Sequence, residues 1–550
     1  MNGAQALIRT LVDAGATTCF TNPGTSEMHF VAALDSVPEM RAVLATFEGV
    51  ATGAADGYAR IADRPGVTLL HLGPGLGNGL ANLHNARKAK SPIVNIVGDH
   101  ATYHTQYDAQ LQSDIETVAR NVSSWVRTSA STAELAEDAA EAIGVSLGPP
   151  GQVATLILPA DVSWSEGAAP AAPTPKAPAA PADEATIQTI ANALRAGGRS
   201  AILLGGRALR EGALTAAARI AAATDAQLLA ETFPARLERG AGLPAPERIA
   251  YFPEFAAVQL RGLKNLILVD AKAPVTFFAY PGKPSYLVPD GCDVHELGSP
   301  ESNVVASLEQ LVEALDAGAK QPALQQAARP GRPSGQLTAE KVCQAIGALL
   351  PEGAIVSDES VTSGQTLPAA TAGAPRHDLL ALTGGAIGQG LPVAVGAAVA
   401  APDRPVLALE ADGSSLYTIQ SLWTMVREQL NITVVLFNNR SYGILNVELQ
   451  RVQADGAGPK AKSQLDLSRP DVDFVSLAKG FGVPSKRVGS AEDLLTELER
   501  AIAEPGPHLI EVLVPNVLSD RQLRAMPIAL RAIGHLPRPL AQAVKRRLSP

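Results

Sequence analysis

Short runs of aliphatic and β-branched residues recur along the whole chain, and segments of helical length separate them. The clearest runs cover residues 68–70, 93–97, 201–204, 266–269, 406–409 and 432–437. Apolar runs without polar alternation are typical of strands buried on both faces, and strands separated by helices usually pair in parallel. We therefore predict an α/β chain with three doubly wound parallel-sheet domains.

Two proline-rich stretches divide these domains. Proline fixes φ and has no amide donor, so such stretches are typically extended and exposed. The predicted organisation is an N-terminal domain over residues 1–166, a Pro/Ala linker over 167–183, a central domain over 184–317, a second linker over 318–336, a C-terminal domain over 337–516 and a basic tail over 517–550.

The first and third domains share a sequence pattern. Each opens on a helical segment, at residues 5–14 and 339–350. Each later contains Asp-Arg-Pro, then a strand and a turn of small residues, at 63–75 and 403–414. The next strand begins about 30 residues after that aspartate in both domains. We infer two copies of one fold, and we expect a ligand to be held between them.

The overall charge is mildly acidic, with 45 Lys and Arg against 54 Asp and Glu and a net charge of −9. This balance argues against a nucleic-acid partner and favours a small-molecule enzyme. Cys19, Cys292 and Cys343 are odd in number and widely spaced, which fits a reducing compartment. The first residues contain no basic segment followed by an apolar run, so we expect a cytoplasmic protein.

Asp412 and Asn439 each follow a predicted strand, 27 residues apart. Because the carboxyl ends of parallel strands meet at one edge of a sheet, we expect these side chains to lie close together. Their oxygens, with a backbone carbonyl near Ser441, suit Mg²⁺. Gly413 and Ser414 precede a helix predicted over 416–429, and a phosphate could bind at the start of that helix. Taken singly, Asp412 could be only a helix cap and Asn439 only part of a turn.

Glu48 ends an apolar run and precedes a helix of small residues predicted over 51–62. Taken alone, a glutamate at this position usually interacts with the helix dipole. The sequence that follows it reads ADGYAR at residues 55–60.

These two motifs together resemble those of the thiamine-diphosphate-dependent decarboxylase and carboligase family. The family has Gly-Asp-Gly followed by Asn-Asn, and the present chain departs only at Ala411. The similarity covers about residues 3–515. It implies a pyrimidine-binding N-terminal domain and a diphosphate- and Mg²⁺-binding C-terminal domain. Thiamine diphosphate and Mg²⁺ are the implied cofactors, and a homodimer or homotetramer with active sites between subunits is the implied assembly.

The resemblance assigns roles to individual residues. Glu48 would hydrogen-bond the pyrimidine ring, the carbonyl of Gly385 would accept from its amino group, and Ile387 would hold the two rings in a bent conformation. The implied metal ligands are Asp412, Asn439 and Ser441. The remaining implied cofactor contacts are Glu359, Val361, Thr362, Gly413, Ser414, Tyr442 and Gly443.

The chain looks most similar to benzoylformate decarboxylase, within the wider group that contains acetolactate synthase. Thr25 stands in the substrate loop where the decarboxylase has serine, and His71 matches a histidine that transfers protons. Residues 273–280 lack the second histidine of that enzyme and are apolar and aromatic instead. Candidates for the active-site glutamine of the synthase are Gln106, Gln110 and Gln112. No flavin signature is recognisable in the central domain, so FAD is not expected.

The implied activity is non-oxidative decarboxylation of a 2-oxo acid, with carboligation to an aldehyde or other carbonyl compound as a second outcome. Alternatives are condensation of two pyruvates, as in acetolactate synthase, and a 2-hydroxyacyl-CoA lyase or oxalyl-CoA decarboxylase reaction. A non-catalytic regulatory subunit and a flavin or nicotinamide oxidoreductase are alternatives of other classes. The tail could be solvated, cover the site, touch a membrane surface or bind a partner; its basic residues are Arg521, Arg524, Arg531, Arg538, Lys545, Arg546 and Arg547.

Overall fold

The computed structural model describes residues 1–175, 178–452, 454, 458–516, 530, 532–533, 536–537 and 540–541. The seven basic residues of the tail lie outside these described residues. None of the helices within the described ranges is long and apolar enough to cross a membrane.

The first sheet has six parallel strands in the order β2-β1-β3-β4-β6-β5. Its strands are β1 (Thr18–Asn22), β2 (Arg41–Leu44), β3 (Gly66–Leu70), β4 (Ile93–Asp99), β5 (Trp125–Thr128) and β6 (Val153–Pro159). The helices of this region are α1 (Gly3–Asp13), α2 (Met28–Ala33), α3 (Glu48–Ala62), α4 (Leu72–Ala89), α5 (Ile115–Ala119), α6 (Leu135–Leu147) and α7 (Ala160–Trp164).

The central region contributes strands β7 (Ser200–Leu204), β8 (Gln227–Ala230), β9 (Leu237–Arg239), β10 (Glu247–Arg248), β11 (Asn265–Val269) and β12 (Asp293–Gly298). Five of them form a parallel sheet in the order β10-β8-β7-β11-β12. Its helices are α8 (Glu184–Arg195), α9 (Glu211–Thr224), α10 (Pro253–Leu260) and α11 (Val304–Ala314).

The third sheet has seven strands in the order β17-β18-β16-β15-β13-β14-β9. The added strands are β13 (Ile355–Glu359), β14 (His377–Ala381), β15 (Val406–Ala411), β16 (Ile432–Asn438), β17 (Ser485–Val488) and β18 (His508–Leu513). Their helices are α12 (Ala339–Leu349), α13 (Leu367–Ala370), α14 (Gly390–Ala400), α15 (Asp412–Thr418), α16 (Ser421–Arg427), α17 (Gly443–Arg451), α18 (Pro459–Ser463), α19 (Phe474–Gly480) and α20 (Ala491–Ala503).

The first and third sheets repeat one topology. Numbered within its own region, each places its six parallel strands in the order 2-1-3-4-6-5. This confirms the prediction of two copies of one α/β fold. One strand differs from the prediction, because β9 from the central region pairs antiparallel with β14 and makes the third sheet mostly rather than wholly parallel.

Helices α3 and α14 form the contact between the two copies. Every residue of α14 from Gly390 to Val399 is buried, as expected for a helix covered on all sides. A Cβ atom on Gly57 would collide with the carbonyl oxygen of Val393, and one on Gly396 would collide with that of Ala54. Glycine at these positions therefore lets the two backbones touch, which holds the start of α3 close to the loop before α14.

The described part of the tail packs on the central region. Leu530, Ile533 and Ala541 are buried in one cluster with Phe255 and Val258 of helix α10. These three tail residues are therefore not solvated, whereas the predicted contacts of the basic residues fall outside the described part of the chain.

Candidate active site

The ends of strands β15 and β16 bring the predicted metal ligands together. The two strands pair in parallel with Ala411 opposite Phe437. The next residues form a turn in which Asp412 Oδ2 accepts from the amide of Arg440 at 2.6 Å, and Asp412 Oδ1 accepts from the amide of Gly413 at 2.8 Å. Asp412 is the first residue of α15, so the helix begins earlier than the predicted 416–429 and is interrupted after Thr418.

Asp412 is a buried carboxylate, with 3% of its surface exposed. Burial raises the pKa of Asp412 to about 6, and the amides of Gly413 and Arg440 partly oppose this rise. No arginine or lysine side chain forms an ion pair with it within the described ranges. A buried anion without a counter-charge is the environment in which a hard cation binds favourably.

The other two predicted metal ligands lie in the turn that follows β16. The side-chain oxygen of Asn439 accepts from the amide of Ser441 at 2.9 Å. The carbonyl of Ser441 accepts from the amide of Gly443 at 2.8 Å. Each oxygen has a second lone pair. Asn438 does not share this role, because its amide donates to Glu511 at 2.7 Å.

Four of the predicted diphosphate contacts converge beside Asp412. The ring of Tyr442 lies where a Cβ atom of Gly413 would be, so only glycine fits there. A Cβ atom on Gly443 would be 2.9 Å from Thr362 Oγ1. Val361, next to Thr362, has φ +49° and remains 39% exposed.

Ser414 and Glu359 make contacts that the sequence does not predict. Ser414 Oγ donates to Glu410, so its proton is already committed within the chain. Glu359 accepts from the amides of Gly388 at 2.8 Å and Gly390 at 2.5 Å, which anchors the loop before α14. Direct contact of Ser414 or Glu359 with a cofactor stays a prediction.

Glu359 and Glu410 lie opposite each other on adjacent strands, and both are buried. Burial raises the pKa of Glu359 to about 7, and burial together with the charge of Glu359 raises the pKa of Glu410 well above its usual value. The pair therefore holds a proton up to a higher pH than two exposed carboxyl groups would.

The loop at residues 384–388 contains the predicted wedge, Ile387, which is half-buried. Gly385 has φ +77°, and its backbone lies so close to Phe277 that a Cβ atom would be 2.8 Å from the ring. Asn82 donates to the carbonyls of Gly49 at 2.7 Å and Gly388 at 3.3 Å, joining the start of α3 to this loop.

Helix α4 supplies a row of asparagines that the sequence analysis missed. Asn78 donates to Glu48 at 3.0 Å, and Asn85 donates to the carbonyl of Ala386 at 2.8 Å. Asn82 lies between them. Their spacing of four and then three residues places them on one helical face, and this was the available signal.

Glu48 is the first residue of α3 and is 7% exposed. Its Oε2 accepts from Asn78, and its Oε1 lies 3.1 Å from the position of a Cβ atom on Gly75. The Cβ atom of His71 is 3.5 Å from the same point. Glu48 and His71 therefore flank Gly75. The predicted glycine-rich turn at 72–75 is in fact the first turn of α4.

His71 is paired with the buried glutamate Glu27, to which the sequence analysis assigned no role. Its Nδ1 is 2.8 Å from Glu27 Oε2, and Glu27 also accepts from the amide of Gly24 at 2.6 Å. Ser26 Oγ is 3.4 Å from the same His71 nitrogen, whereas Thr25 is exposed. The hydroxyl beside His71 is therefore that of Ser26, not of the predicted Thr25.

The ADGYAR motif braces the loop at 384–388. Arg60 forms a two-bond ion pair with the fully buried Asp56, at 2.8 and 2.5 Å, and donates to Thr383 at 3.0 Å. Gln389 donates to Asp56 at 2.8 Å. Both ends of the loop are thus tied to α3.

Of the three candidate glutamines, Gln112 is the one that the fold partly buries. Gln112 Oε1 is buried without a hydrogen-bond partner among the described residues. Its neighbour Ser113 packs against Gly73, two residues after His71. Gln106 is exposed and donates to the carbonyl of Tyr103, and Gln110 is exposed as well.

Comparison with known proteins agrees with this geometry. Residues 1–120 match the N-terminal TPP binding domain of thiamine pyrophosphate enzymes, and residues 358–512 match the C-terminal TPP binding domain. A Mycobacterium tuberculosis protein, provisionally named acetolactate synthase large subunit IlvX, is 59% identical over 519 residues, which are 94% of this chain and 100% of that protein. The chain belongs to the thiamine pyrophosphate enzyme family.

This thiamine pyrophosphate enzyme is also similar to proteins of two named activities. Benzoylformate decarboxylase from Pseudomonas aeruginosa is 27% identical over 90% of this chain and 96% of that protein. Acetolactate synthase isozyme 1 large subunit from Escherichia coli is 26% identical over 93% and 94%. The structure of the 4-hydroxybenzoylformate decarboxylase of Rhodococcus jostii shares the fold, with a TM-score of 0.83, 24% identity, and coverage of 94% of this chain and all of that one.

The family membership confirms that the chain is a thiamine-diphosphate-dependent enzyme of α/β fold. The same two binding domains support thiamine diphosphate as its cofactor.

Proposed function

We propose that the chain is an Mg²⁺-dependent lyase or transferase that decarboxylates 2-oxo acids non-oxidatively and can pass the acyl unit to a second carbonyl compound. One observation carries the proposal: His71, held by the buried Glu27, lies beside Glu48 across Gly75. This places an imidazole, a side chain suited to general acid–base catalysis, next to the carboxylate assigned to the cofactor.

The buried carboxylate of Asp412 fits a hard cation, and the oxygens of Asn439 and Ser441 each have a second lone pair, so these residues would hold Mg²⁺. Thiamine diphosphate, when bound, supplies the electron sink for cleavage of the bond to the carboxyl group. The diphosphate would lie against the groups around Tyr442, and the rings against Ile387.

Glu48 would hold a proton at the pyrimidine ring, because one of its oxygens is bound by Asn78 and the other faces the narrow space over Gly75. His71 would donate or accept the proton at the reacting carbon, and Ser26 would orient bound substrate from the same side. Release after protonation gives an aldehyde, whereas transfer to a second carbonyl gives a 2-hydroxy ketone or an acetohydroxy acid.

A synthase that condenses two pyruvates is the second candidate function. Two observations favour it: the name of the 59% identical relative and the position of Gln112, whose neighbour Ser113 packs against Gly73, two residues after His71. The side-chain amide of Gln112 could donate a hydrogen bond to a carbonyl or carboxylate oxygen of the second substrate.

The test is to incubate the enzyme, loaded with Mg²⁺ and thiamine diphosphate, with a panel of 2-oxo acids and aldehydes and to identify products by mass. Aldehyde release from bulky oxo acids supports the decarboxylase, and acetolactate from pyruvate supports the synthase. The matched control is Glu48→Gln, which should bind the cofactor and yield no product. If none of the oxo acids released carbon dioxide, both functions would be refuted.

We also propose an assembly of at least two subunits. Tyr103 and Tyr107 are 61% and 69% exposed, and both lie in the segment between β4 and α5 that also contains Gln112. Large exposed rings beside a site are typical of surfaces that another chain covers. A homodimer or homotetramer would cover them.

Three further parts of the proposal concern the surroundings of the enzyme. A reducing, cytoplasmic compartment is supported by the free thiols of Cys19 and Cys343, which are buried. FAD is not expected.

The tail is proposed to give affinity for membrane surfaces. Equal binding of the full chain and of residues 1–516 to anionic liposomes would exclude this role.

A further inference from the structure

Four aromatic rings cluster at the carboxyl edge of the central sheet. Phe233 follows strand β8, Tyr251 follows β10, and Phe277 and Phe278 follow β11. The ring centroid of Phe277 is 5.6 Å from that of Phe233, 5.5 Å from Tyr251 and 5.3 Å from Phe278. We call these four residues the aromatic wall. In open parallel sheets, ligands bind at this edge.

The aromatic wall touches the loop assigned to the cofactor rings. Phe277 Cζ lies 2.8 Å from the position that a Cβ atom would take on Gly385, two residues before Ile387. The wall therefore borders the end of the site at which the substrate would react, not the end at which Asp412 lies.

Part of the wall is open to solvent. Phe277 is 43% exposed and Phe278 is 55% exposed. The hydroxyl of Tyr251 donates to Glu448 at 3.3 Å. The surface is thus mainly hydrocarbon, and adjacent exposed rings of this kind are characteristic of a ligand-binding surface.

The segment that contains Phe277 and Phe278 is anchored. It ends at Tyr280, which is 7% exposed and has the guanidinium of Arg451 4.1 Å from its ring centroid. Arg451 is itself buried and pairs with Glu254 at 3.0 Å. The rings are therefore positioned before a ligand arrives, which reduces the entropy lost on binding.

We propose that the aromatic wall receives the substituent of the 2-oxo acid, so that the substrate carries an aryl or similarly bulky apolar group instead of the methyl group of pyruvate. This inference rests on the proposed function. A phenyl ring could stack against Phe277 or Phe278 and bury most of its surface there. A methyl group is too small to cover either ring.

The test compares benzoylformate, 4-methyl-2-oxopentanoate and pyruvate in the wild type and in Phe277→Ala, Phe277→Leu and Val275→Ala. Phe277→Ala should lower the ratio of kcat/KM for benzoylformate to that for pyruvate about 10- to 100-fold, because an apolar contact is lost with only one of these substrates. Phe277→Leu should lower it less. Val275→Ala, in the same exposed segment, should leave it unchanged.

A binding measurement separates this inference from the proposed function. In a Glu48→Gln background with Mg²⁺ and thiamine diphosphate, calorimetry should show that benzoylformate binds more tightly than pyruvate. Phe277→Ala should remove that difference in affinity. If the wild type turns over no oxo acid but this binding pattern is found, the proposed function is refuted, whereas the inference about the aromatic wall is supported. Equal kcat/KM ratios for benzoylformate and pyruvate in the wild type and Phe277→Ala would overturn the inference. A Phe277→Ala protein that differs from the wild type only in its sedimentation would also overturn it, because the aromatic wall would then contact a second copy of the chain.

Discussion

Glu27 is fully buried, and its carboxylate contacts His71 Nδ1 at 2.8 Å. We expect Glu27→Gln to lower kcat about 10- to 100-fold, because an amide orients the imidazole less well and stabilises its charged form less. KM and the affinity for thiamine diphosphate should change little, since Glu27 is fully buried and would act on substrate and cofactor only through His71. Steady-state kinetics and calorimetry check this split.

The control for that variant is Glu39→Gln, which removes an exposed carboxylate whose partner is Arg9 and should leave kcat unchanged. A Glu27→Gln enzyme with normal kcat and a raised KM would contradict the positioning role.

Local motifs predicted Glu48, Asp412 and Asn439, because each stands at the end of a strand or the start of a helix, where the sequence pattern is strong. Partners that depend on packing between regions could not be predicted in this way. Glu410 is an example, since its effect arises from its register opposite Glu359 on another strand. Ser26 and Thr25 are neighbours with equivalent hydroxyls, and only the turn of the chain decides which one approaches His71.

At the scale of elements, the contact of α3 with α14 depends on glycine. Gly396→Ala should destabilise the protein by roughly 1–3 kcal/mol, because the added methyl group would collide with the carbonyl of Ala54 and force the helices apart. Gly77→Ala is the matched control. Gly77 lies in the middle of α4 with open space around it, so alanine should be neutral or stabilise by up to about 1 kcal/mol. Urea unfolding of both variants measures the difference.

Strand β14 makes the stability depend on pH through its first residue. Burial, followed by the charge of Arg239 on β9, lowers the pKa of His377 from 6.5 to about 4. The unfolded chain therefore binds a proton between these values while the folded chain does not. The contribution of the neutral histidine is complete above pH 6.5 and is lost as the pH falls towards 4.

We expect this loss to reach roughly 3 kcal/mol over that interval. His377→Asn removes the titrating group, so its unfolding free energy should fall less between pH 7 and pH 4.5. If urea titrations gave the same pH dependence of the unfolding free energy for the wild type and His377→Asn, His377 would not contribute to the loss of stability at low pH.

Most strands could be predicted from apolar runs, because burial on both faces leaves a continuous pattern. The start of α4 could not, since Leu72-Gly73-Pro74-Gly75 has the composition of a turn. In the fold this segment is helical, with Gly73 against Ser113 and Gly75 against Glu48. Strand β9 is three residues long, and its antiparallel pairing is a tertiary contact that no local pattern contains.

At the scale of the whole molecule, active sites shared between subunits, as the sequence resemblance implies, predict complementation between two inactive variants. If Glu48 of one subunit acts with Asp412 of another, a dimer of Glu48→Gln and Asp412→Asn chains contains one intact site and one doubly altered site. Co-expression with two different tags allows that mixed dimer to be purified. It should show roughly half of the wild-type activity, whereas each variant alone is inactive. Mixed dimers without activity would indicate that both residues act within one chain.

The antiparallel strand β9 has a consequence for engineering. An exchange of the central region for that of another enzyme would also remove the outermost strand of the C-terminal sheet, and β14 would be left with unpaired amides and carbonyls along its length. A chimera cut at the proline-rich linkers is therefore expected to aggregate, whereas one that keeps residues 237–239 with their original sheet should remain monodisperse.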